Sequence, residues 1–111
     1  MVGRAGFEPA TALHAFVRTY PRSIYLPDAQ YTLGIAYYAK KDYKNAIATF
    51  QSLIKAYPNN PKAPDAMLNI ASCYVEQKDK VAAKKVLENL RAKYPDSNAA
   101  KTADDRLAGL K

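Results

Sequence analysis

Residues 57–66 read YPNNPKAPDA, and two other stretches answer to them: YPRSIYLPDA at residues 20–29 and YPDSNAAKTA at residues 94–103. The Tyr-Pro pair therefore returns at Tyr20-Pro21, Tyr57-Pro58 and Tyr94-Pro95, each time after 37 residues. Other positions keep the same step. Pro27-Asp28-Ala29 becomes Pro64-Asp65-Ala66, Tyr37 becomes Tyr74, Lys41-Asp42 becomes Lys78-Asp79, Ala46 becomes Ala83, Leu53 becomes Leu90, and Ala66 becomes Ala103. A constant period of this length marks a repeat array, in which each unit is one supersecondary element that buries its apolar face only against its neighbours.

Each unit reads as two helices. Over 27–40, Pro27 suits the first helical turn, Asp28 complements the positive helix end, and Ala29, Leu33, Ala36 and Tyr37 fall on one face. Lys40-Lys41 are expected in the last turn, and Asp42 to cap the helix that follows. From Tyr43 the spacing of Ala46, Ile47, Phe50, Leu53 and Ile54 gives an amphipathic helix that Pro58 stops. The second unit repeats this with a helix over 64–77, an Asp79 cap, and a helix over 80–93 turning Ala83, Val86, Leu87 and Leu90 inward. Small residues recur where paired helices approach: Gly34 corresponds to Ala71, and Ala36 to Cys73.

The expected fold class is all-α, a solenoid of helical hairpins with a C-terminal capping helix. Its parts are a half unit over 10–21, full units over 22–58 and 59–95, and a cap over 96–110 in which Lys101, Asp104, Asp105 and Arg106 face water. Residues 1–9, with two glycines and a proline, keep none of the pattern and read as a disordered or foreign leader. The apolar face of Leu13, Phe16 and Val17 then lacks part of its cover, which predicts self-association through the incomplete first unit. The chain reads as a piece of a longer protein.

Composition narrows the chemistry. No apolar run approaches the roughly 20 residues of a spanning helix. The first twenty residues lack the cationic start, apolar core and cleavage site of a secretory signal. The single Cys73 forms no internal disulfide, and with one Cys and one His there is no zinc site to assemble. His14 alone titrates near neutrality, without an acid-base partner, and Cys73 takes the place of a packing alanine. No catalytic residue, metal or cofactor is assigned, and the chain reads as a non-enzyme.

Net charge of +7 raises the question of nucleic acid. The cations Lys78, Lys80, Lys84, Lys85, Arg91 and Lys93 read as spread around the second unit, without the stripe or stacking motif of a nucleic-acid module. A protein or peptide segment, acidic or mixed in charge, is the expected partner.

Leu33-Gly34, Tyr37, Ala46, Phe50 and Pro58 fall at the spacing of a tetratricopeptide repeat, which the unit resembles, with three extra residues in the loop after the proline. That resemblance implies a right-handed superhelix whose first helices line a concave face. Asp28, Tyr31, Ile35 and Tyr38 in one unit, and Asp65, Leu68, Ser72 and Val75 in the next, are then its partner-binding residues. Tyrosines with aliphatic neighbours suit peptide capture, since an aromatic ring offers large contact area with few rotatable bonds. The alternative for Tyr31 and Tyr38 is packing against the adjacent unit, and for Asp28 and Asp65 a role as helix-end charges.

More narrowly, the Tyr-Pro loop followed by Ala63-Pro64-Asp65-Ala66, the run Leu33-Gly34 with Tyr37-Tyr38, and the closing Tyr94-Pro95 with Ser97, Ala99-Ala100 and Arg106-Leu107 are similar to the C-terminal domain of the Tol-Pal-associated cell-division coordinator family (CpoB/YbgF). The resemblance implies a periplasmic location, binding to TolA through the repeats, and a link to a bifunctional penicillin-binding protein during envelope constriction. Outer-membrane assembly lipoproteins with Tyr-Pro-spaced repeats are the nearest rival resemblance, although no N-terminal lipidated Cys is present.

Overall fold

The computed structural model describes residues 26–110. These form five helices and no strand: α1 Leu26–Ala39, α2 Tyr43–Ala56, α3 Lys62–Glu76, α4 Lys80–Lys93 and α5 Asn98–Gly109. The expected leader over 1–9, the half unit over 10–21 with His14, and the face of Leu13, Phe16 and Val17 lie outside the described residues.

The two hairpin turns are built identically. Lys41 and Lys78, one period apart, have φ of 65° and 64° and are the described non-glycine residues with positive φ. Around them the backbone closes a Schellman motif: Asp42 N–H bonds Tyr37 O at 2.9 Å and Lys41 N–H bonds Tyr38 O at 2.9 Å, matched by Asp79 to Tyr74 at 2.8 Å and Lys78 to Val75 at 2.9 Å. The two residues expected in the last helical turn thus lie beyond it, because the chain must reverse before the next helix. Asp42 and Asp79 then cap the following helices, accepting from Asn45 N–H at 3.4 Å and Ala82 N–H at 3.1 Å. One aspartate so ends one helix and begins another.

A left-handed conformation costs a side-chain-bearing residue about 1–2 kcal/mol, whereas glycine carries a backbone-entropy penalty of roughly 0.5–1 kcal/mol. The double variant Lys41→Gly with Lys78→Gly is therefore expected to gain about 1 kcal/mol in urea unfolding. A loss of stability would show that contacts of the lysine side chains hold the turns.

α3 begins two residues before the expected start at Pro64. The Asn60 side chain accepts from Lys62 N–H at 2.9 Å, which organises an earlier first turn, and Pro64 lies within that turn where its missing N–H has no helical partner to lose. Ala63 gains full burial as a result. The recurrent Tyr-Pro corner also has a structural use, since the Tyr94 hydroxyl donates to Pro58 O at 2.6 Å and ties one corner to the previous one.

Each helix packs on its sequence neighbour, and the first helices also touch in series, α1 on α3 and α3 on α5. α2 and α4 have no Cα pair within 8 Å of each other. The first helices therefore form a closer inner row and the second helices a splayed outer row. Between the rows lie two apolar clusters, one around Phe50, Leu53 and Ile70, the other around Leu87, Leu90 and Leu107. Val86 packs against both and joins them. Gly34 faces Phe50 where the next unit sets Ala71 with Leu87, so the smaller residue accompanies the larger ring.

Candidate functional site on the concave face

The residues assigned to the concave face divide by their height along the inner helices. Asp28 and Asp65 stand in the first turns of α1 and α3, where a carboxylate complements the helix dipole. Tyr31 and Leu68, one period apart, are engaged in packing. The Tyr31 ring lies 5.7 Å from that of Phe50, its hydroxyl accepts from Asn69 Nδ2 at 2.9 Å, and Lys62 Nζ stands 4.8 Å from its centroid. Leu68 is half-buried against the Leu87 cluster.

Higher on the same helices the side chains open to solvent. Ile35 is 37% exposed and Val75 42%, and both are among the large apolar residues left uncovered. Tyr38, Ser72 and Val75 come together with Glu76, Arg106 and Leu110 around a cleft of about 310 Å³. Ile35 stays outside it. The cleft draws on the three inner helices α1, α3 and α5, with Leu110 from just beyond α5, at the lower edge of the volumes of roughly 300–1,000 Å³ that hold small ligands.

Arg106 closes one side, its Nη1 donating to Ser72 Oγ at 2.6 Å while Ser72 Oγ bonds back to Leu68 O at 3.3 Å. α5, expected only as a cap with Arg106 turned to water, thus contributes a wall of the cleft. The repeat itself carried that signal: Arg106 stands one period after Asn69, and both reach back one unit to bond the preceding inner helix. Glu76 and Leu110 carried no such signal.

Tyr38 meets Tyr43 edge-on with centroids 5.5 Å apart. Burial, and then the nearby Glu76 carboxylate, push both tyrosine hydroxyls above their ordinary range, so they are neutral hydrogen-bonding groups at physiological pH. The Cys73 thiol behind them is fully buried, and burial followed by Glu76 pushes it up to about 11. It packs as a small apolar group and is not a thiolate at neutrality. Among the described residues no group of three or more His, Cys, Asp or Glu could hold a metal, and no helix is long and apolar enough to cross a membrane. The cleft offers shape, two apolar walls, one cation and one anion, which suits recognition of a polypeptide.

A tetratricopeptide repeat profile matches residues 41–103, more than half of the chain. The chain belongs to the tetratricopeptide repeat family. A second tetratricopeptide repeat profile matches residues 7–61. Comparison with curated proteins found no match. Tetratricopeptide arrays bind proteins or peptides and are typically non-enzymatic, so membership makes this chain an interaction scaffold of stacked helical hairpins.

Proposed function

We propose that the chain is the repeat domain of a periplasmic Tol-Pal-associated cell-division coordinator and that its concave cleft receives a segment of TolA. The observation that carries the docking site is the convergence of Tyr38, Ser72, Val75 and Arg106 from three inner helices on one opening. What supports the partner is the resemblance of the Tyr-Pro loops, the Ala63-Pro64-Asp65-Ala66 run and the closing helix to that family. The link to a bifunctional penicillin-binding protein rests on the same resemblance. Tyr38 and Val75 would grip apolar side chains of the incoming segment, while Arg106 and Glu76 would fix its direction by pairing with its charges.

Calorimetric titration with the central and C-terminal regions of TolA tests both parts. Tyr38→Ala combined with Val75→Glu is expected to weaken binding at least tenfold, and Val81→Glu, at a site 81% exposed on the outer row, to leave it unchanged. Undiminished affinity in the cleft variant removes the concave site. No binding of either TolA region by the unaltered chain removes the Tol-Pal assignment.

A further inference from the structure

The fold separates the charges of the helices by row. In the outer row, α2 carries Lys44 and Lys55 with no acid, and α4 carries Lys80, Lys84, Lys85, Arg91 and Lys93 against Glu88 alone. In the inner row, Asp28, Asp65, Glu76, Asp104 and Asp105 outnumber Lys62, Lys101 and Arg106. The positive excess of the helices therefore lies in the outer row.

On that side the splay of α2 from α4 opens a second cleft of about 410 Å³ over α3. Its apolar lining comes from Ile54, Met67, Ile70 and Val86, its rim carries Lys55 and Lys93, and among the described residues no carboxylate lines it. Lys93 Nζ is steadied 5.6 Å from the Tyr94 ring.

One period along, the same positions are filled differently. Ile54 and Met67 correspond to Arg91 and Asp104, which form an ion pair at 2.9 Å between α4 and α5. The stacking of units thus accepts a polar pair at these two places, and packing alone does not require them to be apolar between the first two hairpins. Half-covered apolar side chains flanked by two lysines and no carboxylate, at positions where the fold tolerates charge, fit an occupant of complementary character.

We infer that the convex cleft between α2 and α4 is a second docking site, taking an acidic amphipathic protein segment whose apolar side chains enter over Ile54, Met67 and Val86 and whose carboxylates meet Lys55 and Lys93. This site is separate from the concave cleft, so a scaffold of this build holds two partners on opposite faces.

The test is fluorescence anisotropy of the full chain with a labelled helical peptide carrying two leucines one helical turn apart flanked by glutamates. The same peptide with glutamines and a thymidine oligonucleotide serve as comparisons. The acidic peptide is expected to bind at least tenfold more tightly than the glutamine peptide. Lys55→Glu with Lys93→Glu should abolish that preference. Ile54→Arg with Met67→Asp transplants the ion pair of the next interface, so it should keep the helical circular dichroism while weakening the peptide at least tenfold; Tyr38→Ala should leave binding unchanged. Equal affinity for the two peptides, absence of binding, or full affinity in the folded transplant overturns the site. An oligonucleotide held as tightly as the acidic peptide overturns it in favour of a general polyanion surface.

Discussion

Gly34→Ala is expected to destabilise the chain by about 2 kcal/mol, although alanine is the better helix former by about 1 kcal/mol. A Cβ at this position would stand 2.5, 2.6 and 2.8 Å from three ring atoms of Phe50, closer than any real carbon contact. Phe50 is fully buried and its ring is held against Tyr31, so it has nowhere to turn. Overpacking of this kind costs about 1–3 kcal/mol and here should fall at the upper end, which outweighs the propensity gain. The second unit shows the remedy, because there Ala71 faces the same cluster as Leu87, the counterpart of Phe50. Phe50→Leu alone should cost about 1 kcal/mol or more through the space it leaves. Gly34→Ala with Phe50→Leu should come back to within about 1 kcal/mol of the unaltered chain, a coupling of the size seen between residues in contact. Strictly additive losses in urea unfolding would mean that the two positions do not share one packing solution.

That pairing also shows what a repeat makes legible. The period placed the helices to within two residues, identified Asp42 and Asp79 as caps, and paired Gly34 with Ala71, because each follows from local backbone needs that recur at a fixed step. Side-chain use on the concave face was less legible. Helical spacing puts Tyr31 and Tyr38 on one face, but only the stacking of units decides that Tyr31 is taken up by Phe50 and Asn69 while Tyr38 borders an opening. Leu68 lies on the predicted face yet turns into the second cluster for the same reason. Arg106 was recoverable by stepping from Asn69, whereas Glu76 and Leu110 reach the cleft from helix ends, where spacing rules no longer say which way a side chain leans. The cations of the second helices were readable as outer-row charges, but the cleft they border needed the knowledge that α2 and α4 stay apart.

A chain ending at Asp96, which lacks α5, is expected to lose most of the protection of its second unit. α5 lays Ala99, Ala103 and Leu107 over the cluster that contains Ala71, Leu87 and Leu90, two of whose leucines are almost fully buried. Fully burying one such side chain is worth about 1.5–3 kcal/mol, so uncovering Leu87 and Leu90 and removing Leu107 together withdraw up to about 4.5–9 kcal/mol. That approaches the whole stability of a small domain, about 5–15 kcal/mol. The Arg91–Asp104 ion pair across the same interface is a much smaller contribution, since its side chains are 49% and 56% exposed and solvent screens them. Asp104→Ala should therefore cost no more than about 0.5 kcal/mol. In a solenoid each unit leans only on its neighbours. Amide exchange in the truncated chain should accordingly become fast along α4 around Leu87 and Leu90 while Ala46, Phe50 and Leu53 in α2 keep measurable protection. Exchange that stays slow along α4, or an Asp104→Ala variant that reproduces most of the truncation's loss, would place the strength of this interface in its charges and not in the apolar side chains that α5 covers.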